Sequence, residues 1–356
     1  MIEPLLQIKG VERINMDTDN RISQLRLDRN EFVGKFPPTI YSKVFNKMNI
    51  ENLTMYPEYG RLKQKIAQKE KLSVDNILIG NGSDSIIKNI FETYTDVTCR
   101  VLLTNPTFAM YPIYCKMHNV WDTISVDYSS LTEFPRDEFL KYIKTPWKIK
   151  VAVIVNPNNP TGCAVSNNYL LEVVEEAQKK DTLVVIDEAY YEYYKKTMAK
   201  YVNTFDNLIV LRTFSKFYGL AGLRLGYALA HPSVINTLKK VQLSFPASYF
   251  AVAFAEEFLD DSYIEVQLYA DFMRGATYLI NSLDVEGVDY HFGHGNFVLI
   301  KCDQKIVDEL KKKNVYVKGN FKQDILKEYI RVTLGHKEQM ERFFCEFIKA
   351  RKKCHA

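Results

Sequence analysis

The chain has 356 residues, 47% hydrophobic and 25% charged, and its 47 Lys and Arg against 43 Asp and Glu leave a net charge of +4. Those are the proportions of an ordinary globular protein, with material for two domains of roughly 100–200 residues or for one large domain and an appended lobe. So small a basic excess argues against a nucleic-acid partner, and no apolar run reaches the ~18 residues of a membrane span.

In chain order, Met1-Ile2-Glu3-Pro4 has neither the basic nor the apolar region of a signal peptide. From about residue 60 to 245, short apolar runs alternate with helical patterns. The runs 77–79, 101–103, 151–155, 183–186 and 208–211 are rich in β-branched residues, do not alternate strictly, and end in polar or turn residues. Strands buried on both faces of a parallel sheet read this way. Helical patterns over 59–71, 85–94 and 168–180 lie between them, which predicts an α/β fold: a mainly parallel sheet in a large three-layer domain with crossover helices. Beyond 245 come a long helical stretch (250–283), strands at 297–301 and 329–332 with a helix at 304–313 between them, and a last helix at 337–352. The predicted division is a large domain over 40–245 and a smaller α+β domain made of 1–39 and 246–356.

The six cysteines, at 99, 115, 163, 302, 345 and 354, form no C-x-x-C pair and are too sparse for a disulfide framework. They read as free thiols, which predicts a cytoplasmic protein. His291 and His294 flank a turn and lack the further ligands a metal site needs.

Parallel α/β sheets place ligands at the C-terminal ends of their strands, so the chemistry is sought there. After 77–79 comes Gly80-Asn81-Gly82-Ser83-Asp84-Ser85 and then a helix. Alone it fits a helix-capping turn or a phosphate cradle, since glycines admit an anion and a helix N-terminus supplies free N–H groups. After 151–155 comes Asn156-Pro157-Asn158-Asn159-Pro160-Thr161-Gly162, a rigid turn with or without a further role. After 183–186 comes Asp187-Glu188-Ala189-Tyr190, whose Asp either caps the next helix or meets a cation at a buried strand end. After 208–211 the sequence runs from Arg212 to Tyr227 as RTFSKFYGLAGLRLGY. Lys216 stands there among aromatics and glycines; it is either an exposed lysine or an enclosed one with a lowered pKa that attacks carbonyls to form a Schiff base. Ser215 and Arg224 could bind one phosphate. A Schiff-base lysine, a carboxylate for a pyridinium nitrogen and several phosphate ligands together are what pyridoxal phosphate requires.

On the N-P-N-N-P-T-G, D-E-A-Y and S-K-x-x-G-L-A-G-L-R-x-G-Y motifs, in that order, the sequence resembles fold-type I pyridoxal-phosphate enzymes of the class I/II aminotransferase superfamily. It is most similar to the histidinol-phosphate aminotransferase group, from Leu27-Asp28-Arg29-Asn30-Glu31 through Tyr329-Ile330-Arg331-Val332-Thr333-Leu334-Gly335. The resemblance implies that Lys216 bonds the cofactor and later shuttles a proton, and that Asp187 pairs with the pyridinium nitrogen. It implies that Asn159 and Tyr190 hold the ring hydroxyl oxygen, and that Ser83, Asp84, Ser215 and Arg224 hold the phosphate. Phe108 matches the aromatic that stacks on the ring, and Tyr56 matches a tyrosine that reaches the cofactor phosphate of a partner subunit, which implies a homodimer. Arg331 matches the arginine that grips the substrate carboxylate; Asn30, a separate candidate, either helps shape the substrate pocket or serves a turn. The implied partners are small molecules: glutamate or 2-oxoglutarate, and a phosphorylated amine or carbonyl compound.

Two departures touch the substrate side. Where the group carries an arginine that helps bind substrate phosphate, this chain has Val317-Lys318-Gly319, so Lys318 takes that place; and Asn30-Glu31-Phe32-Val33-Gly34 matches the usual N-E-N-P-x-G only in part. Three readings follow: an aminotransferase for histidinol phosphate or for a phosphorylated amino alcohol such as serinol phosphate, made for surface polysaccharide; a decarboxylase of a phosphorylated amino acid; and a non-catalytic regulator. The last needs an added DNA-binding domain, for which the roughly 25 residues ahead of the first motif offer no room.

Overall fold

The computed structural model describes residues 21–355, together with Ile8 and Val11. Its first strand, β1 (Leu25–Leu27), belongs to the N-terminal segment. The largest sheet has seven strands: β2 (Ile77–Asn81), β3 (Arg100–Asn105), β4 (Asp122–Asp127), β5 (Ile149–Val155), β6 (Leu183–Asp187), β7 (Leu208–Thr213) and β8 (Leu225–Ala230). Their order is β2-β8-β7-β6-β5-β3-β4, and only β8 runs antiparallel to its neighbours.

The apolar runs do not alternate because both faces of this sheet are covered. Val151, Val153 and Val155 pack into one core while Ala152 and Ile154 pack into the other, and β6 and β7 divide their residues the same way. Two strands of this sheet escaped the sequence reading, as did β1 and two strands of the smaller sheets. Strand β4 is an edge strand paired only with β3 and exposes alternate residues, so its run Asp122-Thr123-Ile124-Ser125-Val126-Asp127 looks too polar for a core strand. Strand β8 lies inside the glycine-rich run that follows Lys216.

The predicted helical stretch 250–283 forms two helices, Tyr249–Asp260 and Ser262–Val285, and the Asp261 carboxylate caps the second by accepting from the Ile264 N–H at 3.4 Å. The first packs on helices Pro38–Lys47 and Gly60–Glu70 and shares the core of the large sheet. The second, from Phe272 onward, joins a third core with helix Lys337–His355. That core carries a three-stranded antiparallel sheet, β9 (Tyr290–His291), β10 (Phe297–Lys301) and β12 (Tyr329–Thr333). It also carries β11 (Val315–Val317), which pairs in parallel with β1 and so ties the N-terminal segment to this lobe. Among the described residues no helix is long and apolar enough to cross a membrane, and all six cysteines are free.

Candidate active site

Strands β5, β6 and β7 lie side by side and release their C-terminal ends into one cavity of about 110 Å³. Ser83, Asp84, Phe108, Asn159, Asp187, Tyr190, Ser215, Lys216 and Arg224 all line it. Residues that are widely separated in the chain thus meet in one place.

Asp187 ends β6 and is buried. Its Oδ2 accepts from the Tyr111 hydroxyl at 2.8 Å and its Oδ1 from the Ala189 N–H at 3.1 Å. Burial pushes its carboxyl above the usual range, and those two donors and Lys216 pull it back only in part. An anion so placed is stabilised by a cation arriving in the cavity. Three residues beyond β7 stands Lys216, whose Nζ donates to the Arg29 carbonyl at 3.1 Å. Burial lowers its pKa to about 8; Arg331 and Arg224 act in the same direction, while Glu31 and Asp187 oppose. An amine with that pKa has an appreciable neutral, nucleophilic fraction near physiological pH, which an ordinary lysine lacks.

The floor of the cavity is a cradle. Helix Gly82–Tyr94 starts at the end of β2, so its free N–H groups face the site. Gly82 has a φ of +68°, and a Cβ there would come 2.7 Å from an Arg224 guanidinium nitrogen. A Cβ on Gly226 would come 2.5 Å from the Ser83 nitrogen, so β8 can lie against this turn only with glycine at that position. Arg224 also donates to Ser215 Oγ at 3.4 Å. The Asp84 carboxylate accepts from the Tyr114 hydroxyl at 3.1 Å, which leaves its backbone amide as the group suited to a phosphate.

Arg331 and Lys318, on the β11–β12 side, do not line this cavity; Arg331 reaches its wall through Asn159. Arg331 on β12 donates from one terminal nitrogen to Asn159 Oδ1 at 2.5 Å and from the other to the Asp28 carbonyl at 2.8 Å. Its Nε is buried without a hydrogen-bond partner, a donor left over for an acceptor that enters the site. Lys318 pairs with Arg331 across an antiparallel bridge, and burial and Arg331 lower its pKa. Asn30 does not line the cavity. It is buried at a φ of +54°, its Nδ2 donates to the Tyr190 hydroxyl at 2.7 Å, and its Oδ1 accepts from Thr333. Its side chain therefore positions Tyr190, which lines the cavity. Burial raises Tyr190 to about 12, so it stays a phenol able to donate. Tyr56 also lies outside the cavity: it is exposed and stacks on Phe245 at 4.0 Å between centroids.

Several contributors carry no residue-type signal. The carbonyls of Asp28 and Arg29 are backbone, and Tyr111 is one of 23 tyrosines. The turn between β9 and β10, which follows His291 and contains His294, packs onto the Asn159 loop, with the His294 N–H donating to the Gly162 carbonyl at 2.8 Å. A Cβ on Gly293 would lie 2.5 Å from that carbonyl oxygen. Behind the site, Arg212 and Glu188 form a fully buried ion pair at 2.8 Å that links the ends of β6 and β7 from the far face.

A cradle for an anion, a buried carboxylate and a lysine of lowered pKa around one cavity fit pyridoxal phosphate. The model of the class I and II aminotransferases matches residues 23–348, and the chain belongs to that family. It is a pyridoxal-phosphate-dependent aminotransferase. The histidinol-phosphate aminotransferase of Caldanaerobacter subterraneus is 31% identical over 85% of this chain and 86% of its own. That of Archaeoglobus fulgidus ("Histidinol-phosphate aminotransferase 2") is 31% identical over 82% of this chain and 84% of its own. Among solved structures, the histidinol-phosphate aminotransferase of Sinorhizobium meliloti in complex with pyridoxal-5'-phosphate superposes with a TM-score of 0.89 at 21% identity over 99% of both chains. The L-threonine-O-3-phosphate decarboxylase of Porphyromonas gingivalis shares the fold at 0.76 and 19% identity, over 91% of this chain and 98% of its own.

Proposed function

We propose that the enzyme moves an amino group between glutamate and a phosphorylated carbonyl compound of the histidinol-phosphate type. The observation that carries this reading is Arg331, a buried guanidinium with a spare donor, bonded to Asn159 of the cavity wall, in a chain whose relatives are named for that substrate.

Bound pyridoxal phosphate supplies an aldehyde that links to amines and a ring that stabilises negative charge at the substrate α-carbon. The residues divide the remaining work. Ser83, the Asp84 amide, Ser215 and Arg224 hold the phosphate. Asp187 keeps the ring nitrogen protonated, and Tyr111 and Ala189 hold Asp187 in place. Asn159 and Tyr190 hold the ring oxygen, and Phe108 covers the ring. Arg331 orients the substrate carboxylate and Lys318 adds positive charge beside it. Once free, Lys216 Nζ takes the proton from the substrate α-carbon and delivers it to the cofactor, and it reverses the transfer for the second substrate.

The working form in this reading is a homodimer in the cytoplasm. Tyr41, Ile50, Leu53, Met55, Tyr56, Leu243 and Phe245 leave an exposed apolar surface around Tyr56, suited to a second copy. The two-lobed division stays part of the reading, with helix Tyr249–Asp260 assigned by its packing to the larger lobe.

The test mixes purified enzyme with histidinol phosphate and 2-oxoglutarate and follows glutamate formation. Glutamate released without carbon dioxide supports the reading. Carbon dioxide without glutamate would make the enzyme a decarboxylase, and silence with histidinol phosphate but turnover of serinol phosphate would move the acceptor. For the dimer, a Lys216→Ala chain mixed with a Tyr56→Phe chain should regain part of the activity each lacks; failure to do so with both variants folded removes Tyr56 from its role.

A further inference from the structure

Arg21 donates to both carboxylate oxygens of Asp28, at 3.2 and 3.1 Å, and to Glu31 at 3.2 Å. The two nearest acidic groups are thereby engaged. The other arginines of this segment are left with longer contacts: Arg26 lies 3.7 Å from Glu31 and Arg29 lies 3.6 Å from Asp28, beyond hydrogen-bond distance. Their side chains are 39% and 32% exposed, so neither is packed away.

Both arginines line a second cavity, of about 400 Å³, that shares Ser215, Lys216 and Arg224 with the first. The two spaces therefore meet at Lys216. Four cations, Arg26, Arg29, Lys216 and Arg224, face this second space, with Glu31 as the acidic side chain in its wall. The cofactor engages Arg224 through its phosphate and Lys216 through its aldehyde. Arg26 and Arg29 then remain as two guanidinium groups beside the reacting position. At position 318 the chain offers a lysine, a compact cation without the planar fork that grips a phosphoryl group in two places.

We propose that Arg26 and Arg29 form a second anion subsite, which receives the phosphoryl group of the amine or carbonyl substrate while its reacting carbon lies at Lys216. This rests on the reading of a phosphorylated substrate given above. It moves recognition of the phosphoryl group from the β11–β12 side of the lobe to the N-terminal segment.

The holoenzyme is assayed in single turnover with histidinol phosphate and with histidinol, following loss of the aldehyde-form absorbance, in wild type, Arg26→Gln, Arg29→Gln and the double variant. The preference for the phosphorylated amine should fall about tenfold in each single variant and about a hundredfold in the double one, as expected for charge-assisted hydrogen bonds, with part of it restored by Arg29→Lys. Independently, inorganic phosphate should inhibit the glutamate half-reaction competitively, with an inhibition constant that rises at least about tenfold in the double variant. If wild type prefers histidinol phosphate and both readouts are unchanged in the double variant, the subsite is refuted and the proposed function stands. If wild type does not distinguish the two amines, the proposed substrate class falls, and the phosphate inhibition alone decides the subsite: an unchanged constant refutes it.

Discussion

Asp187 and Lys216 reach the cavity from the ends of two adjacent strands of one sheet, pinned from behind by Arg212 and Glu188. Arg331 arrives from a different sheet, and the two hydrogen-bond partners of its side chain stand 172 and 303 positions away in the chain. The cofactor wall is therefore made by a single folding unit, whereas the substrate wall exists only where the N-terminal segment, the Asn159 loop and the smaller lobe have come together. A change on the first wall should impair every reaction of the enzyme. A change on the second should impair substrate handling and leave the cofactor in place.

The largest effect should come from Lys216→Ala, with turnover down by about 10⁴-fold or more and no borohydride-trapped adduct. Normal transamination in that variant would dissolve the comparison at its root. Arg331→Ala should cut kcat/KM for glutamate by about 10²–10³-fold, in line with the loss of one partner from a buried charged hydrogen bond, while cofactor absorbance persists. Parallel loss of the cofactor would show that the two walls are not separable. Gly293→Ala is a finer probe, because the added methyl meets backbone and the turn must back away from the Asn159 loop. KM for glutamate should rise about tenfold with cofactor affinity nearly unchanged, as for a small misplacement of a binding group; an unchanged KM would detach this turn from the substrate wall.

The smallest effect is one of pH. Lys216 attacks an aldehyde only as the neutral amine, so borohydride-trapped capture of pyridoxal phosphate by the cofactor-free chain should rise with pH and reach half its maximum near pH 8. A midpoint near the ordinary lysine value of 10.5 would mean that the pocket does not desolvate it. The linkage has a definite sign. Between about 8 and 10.5 the unfolded chain holds a proton that the folded chain has released, so this group makes the cofactor-free protein more stable as pH rises through that window.

The same contrast explains what the sequence disclosed. The cofactor residues follow strands in compact motifs, so buried apolar runs located Ser83, Asn159, Asp187 and Lys216 at strand ends, and the family resemblance supplied their roles. On the substrate side the resemblance pointed to Arg331 and Lys318, while the sequence left Asn30 open between the pocket and a turn; its amide bonds Tyr190 and Thr333, partners 160 and 303 positions away that no local pattern discloses. The carbonyls of Asp28 and Arg29 were invisible, because any residue there presents the same carbonyl. Gly293 read as an ordinary turn glycine, since the Gly162 carbonyl that requires it lies 131 positions earlier in the chain. Strand β4 was lost for a different reason: an edge strand with one wet face has little hydrophobic signal.

The pairing of β1 with β11 has a mechanical consequence. The Asp28 and Arg29 carbonyls follow β1 directly, and Arg331 is bridged to Lys318, which follows β11. These acceptors and the guanidinium therefore share one frame, while Lys216 stands on the other. A shift of that frame keeps the Asp28–Arg331 bond and stretches the 3.1 Å bond from Lys216 to Arg29. The bond from Lys216 to the Arg29 carbonyl is thus a contact between the two frames.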